Sequence, residues 1–535
     1  MLDSAAPGPA TQWRPGFWLI RIAFLLFLIW SNVRFIHSPA GRSDAWFRDD
    51  GFVLNTVENS LHGKQLYLDS FYQYGSLPIA LYTFLSRFFG NTIALFSNYL
   101  LAVHIACIVL LFVVLAVARC DLTATLLVVL AIYPLCLRPL GLEYSYEQLC
   151  TLAVIAIWQP PATRSARRNF LLGALLGVMQ WIRFGSAVGP ILGLVAVDLL
   201  SVYTQSDGLR KQRLEKFLKG SIFAFAGFLT LEGMLLIQLF VTLPRDVAWD
   251  VAWPYYMRGS YSAYAPEDRH LRWLSLNYFL GQQLASVAAF ACAAGCLAAL
   301  WFSPRFRQAS NDENQTGYRL LIPSVAYLAN AAFLYQQVWH YYVGAWLLAL
   351  SAGFYLRSRA RPERVALALL FLPGVYVALR ADFTHVPVAP LVMTTTPRGE
   401  RLWLPSEMVA RNQNLIAALA AFQVQHPSPQ GVLILERRPI TVSSHLYFFY
   451  LIPETIRHTM IFPGWLRTRD FVQIEQAIRQ GHAVVLLQNP EQGPPPRDIC
   501  RWNTYAFPSE FCGRVSGLLL DPIPIDGASW IFPTR

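Results

Sequence analysis

The chain has 535 residues, of which 55% are hydrophobic and only 14% charged. That balance, with a mean hydropathy of +0.37, excludes an ordinary soluble globular protein and puts most of the chain in lipid. The formal charge of +11 does not mark a nucleic-acid binder, because the basic residues stand in short loops between apolar segments and not on one soluble face.

Crossing the hydrocarbon core takes about eighteen or more apolar residues. Such stretches recur at 16–35, 92–118, 121–138, 148–160, 169–184, 186–203, 219–243, 275–303, 319–338, 341–357 and 365–380. The first runs on without a small-residue cleavage site and reads as a signal anchor, so the chain is expected to be retained whole. Alternate loops hold Arg119; Arg164, Arg167 and Arg168; Arg210, Lys211, Arg213, Lys216 and Lys219; Arg305 and Arg307; and Arg357, Arg359, Arg361 and Arg364. The positive-inside rule assigns those loops to the cytoplasm. Residues 36–91 then face outward, and with about eleven spans everything after Asp382 does too.

The expected architecture is a polytopic α-helical membrane domain, residues 1–381, with a long first outer loop at 36–91, followed by a small extracytoplasmic α/β domain at 382–535. Within the first loop, residues 51–62 read as a helix entered at Asp49-Asp50 and closed by Gly63. The segment 77–89 is apolar, carries Arg87 near its end and is too short to span, which predicts a helix along the membrane interface.

In the C-terminal region, helical patterns at 406–425 and 469–480 alternate with apolar runs at 431–435 and 483–487, the rhythm of an α/β domain. Neither apolar run is followed by a glycine-rich phosphate loop, which argues against nucleotide binding. Cys500 and Cys512 both fall in this region, where an oxidising location would join them in a disulfide; the alternative is two free thiols. The other six cysteines, Cys107, Cys120, Cys136, Cys150, Cys292 and Cys296, stand in or beside spans as small packing residues.

The most informative stretch is RDDGFVLNTVENSLHGKQLYLDSFYQYGSLP, which starts at Arg48 directly after the first span. It resembles the first outer loop of the GT-C glycosyltransferases that use polyprenyl-phosphate sugars, among them the protein O-mannosyltransferases and the lipid A aminoarabinose transferases. In that superfamily an acidic pair follows the first span, a helix ends in glycine, and a second Asp precedes a Gly-x-x-Pro or His-Pro-Pro turn. Here those positions read Asp49-Asp50, Gly63, Asp69 and Gly75 to Pro78. The resemblance implies that Asp49 takes the place of the catalytic Asp and Asp50 that of its acidic neighbour. Asp50 stands where the family usually has Glu, and Ser76 falls within the turn, so the choice between the two carboxylates stays open. LLGALLGVMQWIRFGSAVGPILGL, from Leu171, also resembles a glycine-rich pair of spans with an intervening Arg in bacterial members. The likeness covers roughly the first 200 residues.

The implied chemistry is attack by an acceptor hydroxyl or amine on the anomeric carbon of a lipid-borne sugar. A carboxylate at the bilayer surface can take the proton, although an exposed Asp has a pKa of about 3.9 and needs a carboxylate neighbour or partial desolvation to become a better base. Adjacent residues of a helix do not share a face, so one of Asp49 and Asp50 is expected to meet substrate. The structural alternative makes both N-caps of the following helix. Asp69 is a candidate for positioning the acceptor or the base, or is a plain turn residue.

The leaving phosphate gains charge and calls for a cation. Arg183, at the outer end of the fifth expected span, is the first candidate, with snorkelling to the interface as its alternative. Arg258, Arg269 and Arg272 follow in the loop after the seventh span. That loop, DVAWDVAWPYYMRGSYSAYAPEDRH, is rich in Trp and Tyr that suit sugar stacking or an interfacial belt. Glu143 and Glu147 are expected in a short outer loop, as substrate contacts or solvated carboxylates. His340, beside Tyr341 and Tyr342, and His385, in the Asp382-x-x-His385 element that resembles one in bacterial relatives, stand near the outer boundary. No His/Cys/Asp pattern has zinc-ligand spacing, while a divalent cation between the Asp pair and the donor phosphate stays open.

The expected function is an inverting glycosyltransferase of a bacterial inner membrane, with a polyprenyl-phosphate sugar as donor, a lipid, glycan or protein as acceptor, and no nucleic-acid partner. A transporter or flippase of envelope glycolipids is the rival, although repeated halves and broken mid-membrane helices are not evident. A non-catalytic envelope-assembly protein is the third reading.

Overall fold

The computed structural model describes residues 15–38, 44–70, 72, 74–117, 125, 142–158, 164–183, 186–203, 207–252, 390–425, 432–436, 442–452, 468–487, 498, 509–526 and 529–534. The described helices of the N-terminal half are α1 (Pro15–Ile36), α2 (Asp44–Leu61), α3 (Ser76–Phe89), α4 (Ile93–Val117), α5 (Leu142–Ile157), α6 (Ala166–Ile182), α7 (Val188–Tyr203), α8 (Asp207–Thr242) and α9 (Arg245–Ala252). The expected spans at 275–303, 319–338, 341–357 and 365–380, and nearly all of 121–138, lie outside the described residues.

The chain divides into two compact units. One holds Met1–Ile36, Leu100–Gln238 and His270–His385; the other holds His37–Tyr99, Leu239–Arg269 and Val386–Arg535.

Two helical stretches among the described residues, Ile93–Ala116 and Arg210–Thr242, are long and apolar enough to cross a membrane. Helices α1 and α8 also expose rows of large apolar side chains, including Leu19, Leu26, Phe27, Ile222, Phe225 and Ile237. Such rows are costly in water and suit a lipid-facing surface. The basic cluster from Arg210 to Lys219, expected in a loop, instead forms the first turns of α8. Its Lys, Arg, Leu and Glu residues are good helix formers, so the helix extends through them.

Helices α6 and α8 cross at backbone contact. A Cβ built on Gly173 would lie 1.7 Å from the Ala224 carbonyl oxygen, and one on Gly227 would lie 2.0 Å from that of Phe170. Only hydrogen fits at either position, which is how small residues serve helix pairs in lipid. Trp181 Nε1 then donates to the Leu231 carbonyl at 2.9 Å. Arg164, expected in a solvated cytoplasmic loop, is buried in an ion pair with Asp198 of α7.

The second unit contains α2, α3 and α9 and the C-terminal elements. These are the hairpin β1 (Leu391–Thr395) and β2 (Arg401–Pro405), α10 (Ser406–Gln425), β3 (Val432–Glu436), α11 (Val442–Phe449), α12 (Thr468–Arg479), β4 (Ala483–Leu487), α13 (Ser509–Ser516), β5 (Ile523–Pro524) and β6 (Ser529–Phe532). The second sheet has the order β3-β4-β6-β5, with β3 and β4 parallel and the other pairs antiparallel.

The two apolar runs form the parallel pair at one side of that sheet, and strand alternation splits them into two cores. Leu433, Leu435, Val484, Leu486 and Phe532 pack with Ile474 and Ile478 of α12 and Phe511 and Val515 of α13. Val432, Ile434, Val485 and Ile531 pack with Leu415 and Leu419 of α10 and Leu446 and Tyr447 of α11. Helices therefore cover both faces, which is why the runs are apolar throughout.

Candidate functional site

Helix α2 carries the aspartate pair. It begins at Asp44, not at the expected residue 51, so Asp49 and Asp50 stand in its second turn and are not its N-caps. The preceding Ala-Trp-Phe-Arg run sustains helix, and Asp44 suits the first turn. At the other end Gly63 adopts φ +81°. The Gly63 N–H donates to the Ser60 carbonyl at 3.2 Å and that of Lys64 to the Asn59 carbonyl at 2.9 Å. This is the Schellman arrangement expected from the glycine.

Residues 51–57 of α2 are all buried. Close packing around these residues holds that stretch of the helix in place. The following loop folds back on it: Phe52 stacks with Tyr72 at 5.5 Å between ring centroids, Tyr67 donates from its hydroxyl to the Tyr74 carbonyl at 2.7 Å, and Asn59 Nδ2 donates to Ser70 Oγ at 3.4 Å. Asp69 is exposed in this loop, and its Oδ2 accepts the Gln65 N–H at 2.9 Å. One of its oxygens therefore helps to close the turn.

Helix α3 follows Gly75 as N-cap. It turns Ile79, Tyr82, Thr83 and Ser86 inward and exposes Leu81, Phe84, Phe88 and Phe89. The helix expected at 77–89 is therefore present, with an apolar exposed face.

In the other unit, Glu143 and Glu147 lie within α5 and not in a loop. Glu147 is buried and its Oε2 accepts from Arg183 Nη1 at 3.2 Å. Arg183 follows the last turn of α6, with its backbone N–H donating to the Met179 carbonyl. Arg183 is 1% exposed, so it neither snorkels nor stands as a lone charge. Buried charges of opposite sign find each other because each is costly alone. Glu143 precedes Glu147 by one helical turn.

Cys512 is buried and disulfide-bonded, whereas Cys107 and Cys150 are free and buried, as packing residues are. Arg258, Arg269, Arg272, His340, His385 and Cys500 lie outside the described residues. Among the described residues, no group of three or more His, Cys, Asp or Glu is placed to hold a metal ion.

A set of contacts absent from the sequence reading surrounds Glu58 of α2. Its Oε2 accepts from Arg398 Nη2 at 2.7 Å and from Asn91 Nδ2 at 2.9 Å. The local signal for Arg398 was present: Thr-Pro-Arg-Gly-Glu between LVMTT and RLWLP is a hairpin turn.

No family model and no curated protein matches the sequence. The fold is similar to a solved structure, ArnT from Cupriavidus metallidurans bound to undecaprenyl phosphate, with a TM-score of 0.50 over 97% of this chain and 98% of that one, at 13% identity. The likeness shows the fold alone: the chain is folded like that protein over nearly its whole length.

Proposed function

We propose that this chain is a membrane-embedded inverting glycosyltransferase. It moves a sugar from a polyprenyl phosphate to a lipid, glycan or protein acceptor outside the cytoplasm. The observation that carries the reading is the full-length likeness to a structure holding undecaprenyl phosphate. The aspartate pair on helix α2 supports it, because the resemblance of the first loop puts a catalytic carboxylate there.

In this reading the acceptor oxygen or nitrogen attacks C1 of the sugar from the side opposite the phosphate. The C1–O bond to the phosphate breaks, the configuration inverts, and the acceptor's proton passes to Asp49 or Asp50. Polyprenyl phosphate leaves with added negative charge, which a guanidinium offsets. Arg258, Arg269 and Arg272 are stronger candidates for that task than Arg183, whose charge is already balanced by Glu147. Asp69, Glu143, His340 and His385 are assigned to donor and acceptor contacts. The membrane is a bacterial inner membrane, residues 382–535 lie on its outer side, and Cys500 is the disulfide partner of Cys512.

The test is transfer by the purified chain in lipid nanodiscs from a panel of radiolabelled polyprenyl-phosphate sugars. Transfer with inverted configuration is expected from at least one donor, and Asp49→Asn or Asp50→Asn is expected to abolish it. Undiminished transfer in both variants removes the proposed base, and a product of retained configuration removes the single displacement.

A further inference from the structure

Helix α11 packs against α2. Phe448 and Phe449 of α11 are both buried. Apolar packing of this kind excludes water but is non-directional. Directional polar contacts add to that packing in fixing the rotation of a helix about its own axis.

Those contacts come from the turn between β1 and β2. Gly399 N–H donates to the Thr396 carbonyl at 2.8 Å, and Thr396 N–H donates to the Glu400 carbonyl at 2.9 Å. Gly399 has φ +87°. Proline at the first position and a left-handed glycine at the third make a type I turn with a bulge, a stiff three-residue loop.

Two side chains of this turn reach the first-loop elements. Arg398 Nη2 donates to Glu58 Oε2 at 2.7 Å, and its guanidinium carbon lies 4.0 Å from the centre of the Phe448 ring. Its backbone N–H donates to the Phe449 carbonyl at 3.4 Å. Arg398 thus touches both helices of the packed pair. Glu400 Oε1 accepts the Ile93 N–H at 3.3 Å at the start of α4. Asn91, just before α4, donates to Glu58 and also to the Leu54 carbonyl, at 2.8 Å. Leu54 and Glu58 lie on the i, i+4 ridge that includes Asp50 one turn earlier.

We propose that Arg398 is a positioning residue for the transfer reaction: through Glu58 it sets the rotation of α2 and thereby where the Asp49–Asp50 pair meets substrate. The proposal rests on the reading of α2 as the catalytic helix. Both partners keep some exposure, 21% for Arg398 and 24% for Glu58, so the pair adds little to global stability. Its effect is on geometry, and a displacement of about 1 Å at a reacting group costs on the order of a hundredfold in rate.

The experiment compares the full chain with Arg398→Ala and Arg398→Lys in nanodiscs, by transfer kinetics, thermal unfolding and amide exchange over residues 44–61. Arg398→Ala is expected to lower kcat by about 10- to 100-fold, to leave KM for the donor within about twofold, and to speed exchange selectively in α2. Arg398→Lys keeps the charge and loses the planar fork, so it recovers part of both losses; it also serves if the alanine variant does not fold. Unchanged exchange in α2 overturns the proposal, as does faster exchange with wild-type kcat. A fall in kcat that only tracks a lower unfolding temperature overturns it too. A wild-type chain that transfers from no donor overturns the glycosyltransferase reading and any role of Arg398 in transfer, while selective loosening of α2 still separates that result from failure of the Arg398–Glu58 contact to hold α2.

Discussion

Arg183 and Glu147 form a buried ion pair at 3.2 Å, with each side chain 2% exposed. The pair joins the end of α6 to α5 and leaves neither charge alone in a low-dielectric interior. Removing one partner by Glu147→Gln or Arg183→Met strands the other, at a cost of about 3–5 kcal/mol. Replacing both by apolar residues of similar volume is expected to cost less than the sum of the single changes. Thermal unfolding of the four proteins in one detergent checks this; additive losses would show that the charges do not depend on one another.

The crossing of α6 and α8 admits no side chain at Gly173. Gly173→Ala puts a methyl group where the Ala224 carbonyl stands, and forcing the helices apart is expected to cost about 1–3 kcal/mol. Gly233, also on α8, has nothing within 4 Å of its added Cβ. Gly233→Ala is therefore expected to be neutral or to stabilise by up to about 1 kcal/mol through helix propensity. Equal unfolding temperatures for the two variants would contradict the close crossing.

Two carboxylates of the second unit respond oppositely to pH. Hydrogen bonds from Arg514 and Arg479 hold the Glu475 carboxyl below its ordinary value of 4.5. Its stabilisation is present above pH 4.5 and is lost as pH falls through the lower folded value. Glu475→Gln is expected to cost about 0.5 kcal/mol at neutral pH, an exposed pair being screened by solvent, and the difference from wild type shrinks on acidification. Burial raises Glu400 above 4.5, opposed by the Ile93 N–H and by Arg398. Its favourable contribution is present below 4.5 and lost as pH rises through the higher folded value. Glu400→Gln is expected to match wild type at low pH and to gain a few tenths of a kcal/mol, roughly, at neutral pH. Thermal midpoints measured between acid and neutral pH distinguish the two signs.

Peptide mapping without reductant is expected to recover Cys512 linked to Cys500. Reduction is expected to lower stability by about 2–4 kcal/mol and to speed exchange in α13. Recovery of Cys512 linked to any other cysteine would reject that pairing.

Where local pattern governs, sequence and structure agree. The helix at 406–425, the two apolar runs and the glycine that closes α2 follow from period, composition and the left-handed preference of one residue. Element starts were less legible. The onset of α2 at Asp44 depends on a run with no apolar period, and the basic start of α8 has the charge density of a solvated loop, which local pattern does not separate from a charged helical turn.

By itself the sequence determined a composition suited to lipid, an acidic pair after the first apolar stretch, and an α/β pattern in the C-terminal region. Each is a property of a short window, set by hydropathy or by backbone preference. Only the tertiary structure decided that Arg183 meets Glu147, that Gly173 faces Ala224, and that Arg398 reaches Glu58 across 340 positions of chain. Such pairings depend on where folding brings distant segments together, and no local period encodes the partner.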